Sequence, residues 1–185
     1  MRSRTREERL ALLHAAQLYV CTDARTDRGD LADFLDAAYR GGVDIIQLRD
    51  KKISARDELD ALKILADIAH HHGKLFAVND RADIAALIGA DIIHVGQEDL
   101  TPAQVRSLLG QDVLIGRSNR KTDMFRDSLA DPDIDYAVMG PVWKTPTKPG
   151  RKPVGLAGIS AAAQLSDNTR LQQKTHPKPC GLLAE

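Results

Sequence analysis

The feature that most constrains this chain is an alternation between two apolar periods. Short runs rich in apolar and β-branched residues recur at 17–22 (QLYVCT), 43–48 (VDIIQL), 74–78 (KLFAV), 91–95 (DIIHV), 113–115 (VLI) and 135–139 (DYAVM). Between them lie stretches with helical spacing at 31–40, 55–71, 84–88, 102–109 and 122–129, and an extra helix is expected at 5–16. A strand–helix repeat of about 20–25 residues implies parallel strands joined by right-handed crossovers. Asp30, Ser54 and Thr101 stand where helices should begin, the last followed by Pro102. Gly41, Gly73, Gly89 and Gly110 stand where they should stop.

Length and charge narrow the classes further. With 185 residues, 43% of them hydrophobic and 28% charged, the chain reads as one soluble domain spanning residues 1–185. Lys and Arg number 26 against 26 Asp and Glu, so the excess of cations that marks a nucleic-acid or membrane-surface binder is missing. Two cysteines, Cys21 and Cys180, make no disulfide framework, and a reducing cytoplasm is the expected compartment. No apolar run approaches the ~20 residues needed to span a bilayer. The basic N-terminus carries Glu7 and Glu8 and does not read as a signal peptide.

Parallel α/β chains place their ligands beyond the carboxyl ends of the strands. The residues that follow the runs are Asp23, QLRDK (47–51), Asn79-Asp80-Arg81, GQED (96–99), GRS (116–118) and GPVWKTPTK (140–148). All are polar. An open sheet gathers its site near one switch point, so polar residues after nearly every strand favour a closed (β/α)8 TIM-type barrel.

Several of these residues suit phosphate or metal chemistry. Asp80 and Asp99 follow consecutive strands, and two carboxylates with substrate oxygens and water suffice for Mg2+; the alternative is a helix cap or turn residue. Arg49 and Lys51 can hold a polyphosphate or pair with Asp50 or Asp80. Gln47 shares a strand face with Arg49 and can read a heterocycle or a phosphate. Lys148 closes Thr145-Pro146-Thr147-Lys148, whose hydroxyls, amides and ammonium make an anion cradle, or else a Pro-rich surface linker. Ser118 adds a hydroxyl with no His or Cys beside it to activate it, which leaves a helix cap as its other reading. His70, His71 and His72 precede Gly73 at a helix end, where cations suit the dipole better than the spacing suits a metal. Cys21 is expected in the core, and Trp143 either lines the site or packs.

Taken together, QLRDK (47–51), NDRADIA (79–85), HVGQEDL (94–100), GRSN (116–119) and GPVWKTPTKPG (140–150) resemble the thiamine-phosphate synthase family. The resemblance covers residues 17–163 in one order, and GQED with TPTK is its most specific part. It implies a (β/α)8 barrel enzyme, a transferase of thiamine biosynthesis. That enzyme couples 4-amino-2-methyl-5-(diphosphomethyl)pyrimidine to a thiazole phosphate and releases pyrophosphate. By matching motif, Gln47, Arg49, Lys51 and Asn79 would bind the pyrimidine diphosphate, and Asp80 and Asp99 would hold Mg2+. Ser118 and Lys148 would touch the diphosphate side, and Thr145 and Thr147 the thiazole phosphate. Arg49, Lys51, Ser118 and Lys148 are the residues expected to carry catalysis, with small-molecule substrates as the partners.

The chain departs from that family in three places. Asn119-Arg120 stands where many members have Thr-His or Val-His, and Lys144 where a proline is usual; both bear on loop shape and leave the named contacts in place. After 155–163 the family pattern expects a seventh strand ending in Gly-Gly-Ile and an eighth ending in a Val-Ser-like phosphate contact, and neither motif exists here. About six of eight βα units are therefore recognisable, in a chain below the ~200 residues of the smallest complete barrels. Residues 166–185 are expected to be a loosely structured tail, a product of a shifted reading frame or an early stop, so that the chain is C-terminally truncated. Open strand edges and uncovered core would then cost stability, and self-association could cover them as a homo-oligomer. The rival readings are a non-catalytic or substrate-binding remnant of the enzyme and a thiazole tautomerase-like relative. The latter is disfavoured because it should not need Asp80 and Asp99 together with TPTK.

Overall fold

The computed structural model describes residues 4–144, 152–172 and 180–182. Strands and helices alternate as the periods require. The order is α1 (Arg6–Ala15), β1 (Tyr19–Thr22), α2 (Leu31–Arg40), β2 (Ile45–Leu48), α3 (Ala55–His71), β3 (Leu75–Asn79) and α4 (Ala82–Ile88). It continues with β4 (Ile92–Val95), α5 (Pro102–Leu109), β5 (Leu114–Asn119), α6 (Thr122–Ala130), β6 (Tyr136–Met139), α7 (Gly155–Gln172) and β7 (Cys180–Leu182). No helix among the described residues is long and apolar enough to cross a membrane.

The residues gather into two compact units. One runs to His94 and includes Gln104–Leu114; the other holds Val95–Ala103 and continues from Ile115. In the first unit β1 to β4 are parallel, with Tyr19 beside Ile45, Ile45 beside Leu75 and Ala77 beside Ile92. Every residue of β2, β3 and β4 is buried. Strands covered on both faces read as continuous apolar runs, which is why 43–48 and 74–78 show little alternation. Leu35, Leu62, Leu65 and Ile84 from the helices complete this core.

Helix boundaries follow the expected chemistry at Ser54 and Gly89 and depart from it at Asp30. Thr5 forms a capping box with Glu8 in front of α1. The Ser54 hydroxyl accepts from the Asp57 N–H in front of α3, and Gly89 ends α4 in the left-handed region, where a side chain would be strained. Asp30 makes no cap hydrogen bond. Its carboxylate is taken by Arg25, which binds both oxygens at 2.6 and 2.7 Å and lies over the Phe34 ring. A bidentate guanidinium outcompetes a backbone amide for the same carboxylate.

At the amino end of β4 the first unit carries a buried ion pair. Asp91, 1% exposed, accepts from Arg9 Nε at 3.0 Å and from Arg4 Nη1 at 2.6 Å, while Arg9 also donates to the Asp112 carbonyl. This fastens α1 across the strand ends opposite those that bear the polar motifs. His70 Nε2 is 3.8 Å from Asp91, and its ring meets Phe76 edge-on. Burial lowers the His70 pKa, partly offset by the Asp91 charge. His72 bonds to Asp36 at 2.8 Å. The histidines at the end of α3 thus make ring packing and carboxylate contacts.

In the second unit β5, β6 and β7 are parallel, with Gly116 beside Tyr136 and Ala137 beside Cys180. Phe125 and Leu129 of α6 pack with Ala137, Met139 and Ala162. Gly116 has no substitute: a methyl there would lie 2.0 Å from Tyr136 Cζ. The Pro141 and Val142 carbonyls accept from the Val154 and Gly155 N–H groups, which brings the start of α7 beside the residues that follow β6. β5 runs four residues past the expected 113–115 run, through Gly116, so Ser118 and Asn119 are strand residues paired beside Val138 and Met139, not loop residues. Expected to be a loose tail, residues 166–172 continue α7, with Ser166 buried, and 180–182 pair with β6. The rest of that tail lies outside the described residues.

Asp91→Ala tests the ion pair. Removing one partner leaves the buried Arg9 charge uncompensated, and unfolding free energy should fall by roughly 3–5 kcal/mol, as read by urea denaturation.

Candidate functional site

In the first unit the strand-end motifs converge at the carboxyl ends of β2 and β3. Gln47 is the third residue of β2 and is 1% exposed. A buried amide must be satisfied internally. Its Nε2 donates to Asn79 Oδ1 at 2.8 Å, and its Oε1 accepts from the Tyr19 hydroxyl at 3.2 Å and the Cys21 thiol at 3.3 Å. Cys21 is only half-buried, which corrects its expected place in the core: it belongs to the polar layer beneath the site. Gln47 therefore holds Asn79 from below.

Beyond Asn79 the chain turns sharply. Asp80 occupies the left-handed region at φ +59°. The Asp80 N–H donates to the His94 carbonyl at 2.9 Å, and the Arg81 N–H folds back onto the Asn79 carbonyl at 2.6 Å. Among residues with a side chain, Asp is one of the few that tolerates this conformation. Arg81 is gripped by Asp83 through two hydrogen bonds of 2.8 and 2.6 Å. That grip holds the Asp83 carboxyl down at about 2.

The cation on Asp80 is Lys51, whose Nζ lies 2.7 Å from Oδ2. Of the two partners expected for Lys51, Asp50 is engaged elsewhere, accepting from the Ala24 and Lys52 backbone amides. Arg49 extends the strand pairing by donating its N–H to the Thr22 carbonyl. Lys51, Asn79, Asp80 and Arg81, with Asp50, Ile53 and Glu58, line a cavity of about 250 Å3.

Glu58 was missed by motif reading. It lies in the first turn of α3, where an acid reads as a complement to the helix dipole. In the structure its side chain is nearly buried, 4.0 Å from Arg81. Burial raises its pKa; Arg81 pulls the other way, and the negative charges of Asp83, Asp50 and Asp80 add to the rise.

The second unit holds its own polar cluster. Asp99 Oδ2 accepts from the Gly96 N–H at 2.6 Å, closing a tight turn over GQED. A methyl on Gly96 would lie 2.9 Å from that same oxygen. Gln97 Nε2 donates to the Ser118 carbonyl at 2.8 Å and to Asn119 Oδ1 at 3.1 Å. Its Oε1 accepts from Arg117 at 3.3 Å. Trp143 is exposed. Thr145, Thr147 and Lys148 lie outside the described residues.

Among the described residues no group of three or more His, Cys, Asp or Glu is placed to share a metal ion. Zinc- or iron-type cages are therefore not built from them, whereas magnesium needs only one or two carboxylates. Asp80 fits that need on this structure's own geometry: its carboxylate is pinned by a strained turn and already carries a cation.

Comparison with known proteins finds one family. The pattern of the family described as thiamine monophosphate synthase matches residues 18–170. A thiamine-phosphate synthase from Mycolicibacterium paratuberculosis is 56% identical over 167 residues, covering 85% of this chain and 74% of the relative. One from Arthrobacter sp. is 53% identical over 163 residues, covering 86% and 69%. Among solved structures, a thiamine phosphate pyrophosphorylase from Pyrococcus furiosus superposes with a TM-score of 0.74 at 24% identity, covering 91% of this chain and 75% of that one. A 3-dehydroquinate dehydratase from Geobacillus kaustophilus shares the fold at a TM-score of 0.64 and 13% identity, covering 91% and 73%. With five strand-end motifs in register and more than half of each relative's aligned residues identical, the chain belongs to the thiamine monophosphate synthase family.

Proposed function

We propose that this chain is a thiamine-phosphate synthase built on a (β/α)8-type scaffold and acting in the cytoplasm. It joins 4-amino-2-methyl-5-(diphosphomethyl)pyrimidine to a thiazole phosphate, giving thiamine phosphate and pyrophosphate. The observation that carries this reading is the cavity at the ends of β2 and β3, where Lys51, Asn79 and a conformationally strained Asp80 meet. An ammonium, an amide and a fixed carboxylate are what a magnesium-bound diphosphate requires.

The reaction breaks the bond between the pyrimidine methylene carbon and a diphosphate oxygen, and the electron pair leaves with pyrophosphate. The thiazole nitrogen then donates its lone pair to that carbon. No proton is removed from the nitrogen, so the step needs no general base, in keeping with a site that has no Ser–His or Cys–His pair among its motif residues. Charge development on the leaving group is the barrier to be lowered. Arg49, Lys51 and Lys148 supply positive charge, and Ser118 a hydroxyl, at the diphosphate. Thr145 and Thr147 bind the thiazole phosphate. Asn79, oriented by Gln47, sets the pyrimidine diphosphate against Asp80. Asp80 and Asp99 are the carboxylates for Mg2+, each held by its own turn. When bound, Mg2+ neutralises the diphosphate oxygens.

Purified chain supplied with both substrates and Mg2+ should form thiamine phosphate and pyrophosphate in equal amounts. Asp80→Asn and Asp99→Asn should each lower kcat by about 100-fold or more, the scale of losing one preorganised electrostatic contact in an active site. A cooperatively unfolding chain with no turnover would instead mark a binding remnant.

Gly96→Ala probes Asp99 without removing it. The added methyl crowds the carboxylate off its amide donor, so the Mg2+ concentration for half-maximal rate should rise several-fold. Thermal unfolding should shift only slightly, because the obstructing atom is the movable end of a side chain.

A further inference from the structure

Lys51 stands between two tasks, and its geometry separates them. Asp80 cannot move far: its backbone sits at φ +59°, donates to the His94 carbonyl and is followed by a residue locked to Asp83. Its side chain is 20% exposed, whereas that of Lys51 is 63% exposed on a long flexible stem. Of the two partners, the carboxylate is the fixed one and the ammonium the mobile one. Asp50 offers Lys51 no equal alternative, because its oxygens receive the Ala24 and Lys52 amides.

A divalent cation on Asp80 at the usual ~2.1 Å would come within about 4–5 Å of an ammonium on the same carboxylate, a repulsive approach. We propose that Lys51 is the resident counter-cation of Asp80, exchanged when a divalent metal binds and thereby released toward the substrate's diphosphate. This rests on the reading of Asp80 as a metal-holding carboxylate. The exchange gives Lys51 a role before substrate arrives. Asp50, Glu58, Asp80 and Asp83 all lie around this end of β3, and an unpaired Asp80 would add to their mutual repulsion. Lys51 relieves that repulsion in the empty enzyme and hands the carboxylate to the metal on loading. The ammonium then becomes a donor for the diphosphate oxygens, so metal binding prepares the anion site next to it.

Mn2+ binding to the full chain without substrates, followed by electron paramagnetic resonance, separates the possibilities. Lys51→Met should bind Mn2+ roughly two- to five-fold more tightly than wild type, the equivalent of one exposed ion pair no longer competing. Lys51→Gln should behave alike and serves if the methionine variant folds poorly. Lys51→Arg, which keeps the cation, should stay near wild type, and Asp80→Asn should bind much more weakly. Equal Mn2+ affinity in wild type, Lys51→Met and Lys51→Gln, with Asp80→Asn still weakened, would overturn the exchange while leaving the metal reading intact. Unchanged affinity in Asp80→Asn would overturn the metal reading and the exchange with it.

Discussion

Burial of β2, β3 and β4 on both faces is the constraint from which the rest follows. A strand with no wet face can place chemistry only at its ends or in fully paired polar groups between them. The first unit uses both options. At the amino end of β4, Asp91 is paired with Arg4 and Arg9 and fastens α1. Between the ends, Gln47 and Asn79 satisfy each other, with Tyr19 and Cys21 completing the amide. At the carboxyl ends the chain leaves the core, and there the charged residues gather.

Strain is concentrated where it positions charge. Asp80 pays for its left-handed backbone, and Arg81, Asp83 and Glu58 hold the turn that imposes it. Such a turn aims one carboxylate in one direction. Glu58 reinforces the arrangement from α3. Burial raises its pKa, and Arg81 beside it pulls the other way.

The sequence disclosed the alternation and the strand-end residues because both rest on local periods. QLRDK and NDRAD were readable as a polar layer following two apolar runs, and Lys51 with Asp80 is the pairing offered there as an alternative to phosphate binding. What was not legible depends on contacts distant in sequence. Glu58 comes 22 positions before Asp80 in the chain and carries no motif. Gln47 shares a face with Arg49, as period two requires, yet its depth below the surface follows from Tyr19 and Cys21 on β1. The seventh strand escaped because three residues give no period to read; only pairing with β6 defines it.

Asn119, one of the positions where the motifs depart from the pattern they resemble, is a framework residue in the structure. Successive residues of a strand face opposite ways, so Asn119 projects away from the side that carries Ser118. It is 2% exposed. Its Nδ2 donates to the Val138 and Arg117 carbonyls, and its Oδ1 accepts from Ser128 of α6 at 2.8 Å and from Gln97. The amide thus joins β5, β6, α6 and the GQED turn, using both donor and acceptor in a place where an unmatched polar group would be costly. The change at this position is therefore absorbed on the helix-facing side of β5. Ser118, one residue earlier, keeps its strand position through the backbone: its carbonyl is held by Gln97, the neighbour of the turn that fixes Asp99. Asn119 and Ser118 are thus both tied to Gln97, one through its side chain and the other through its carbonyl.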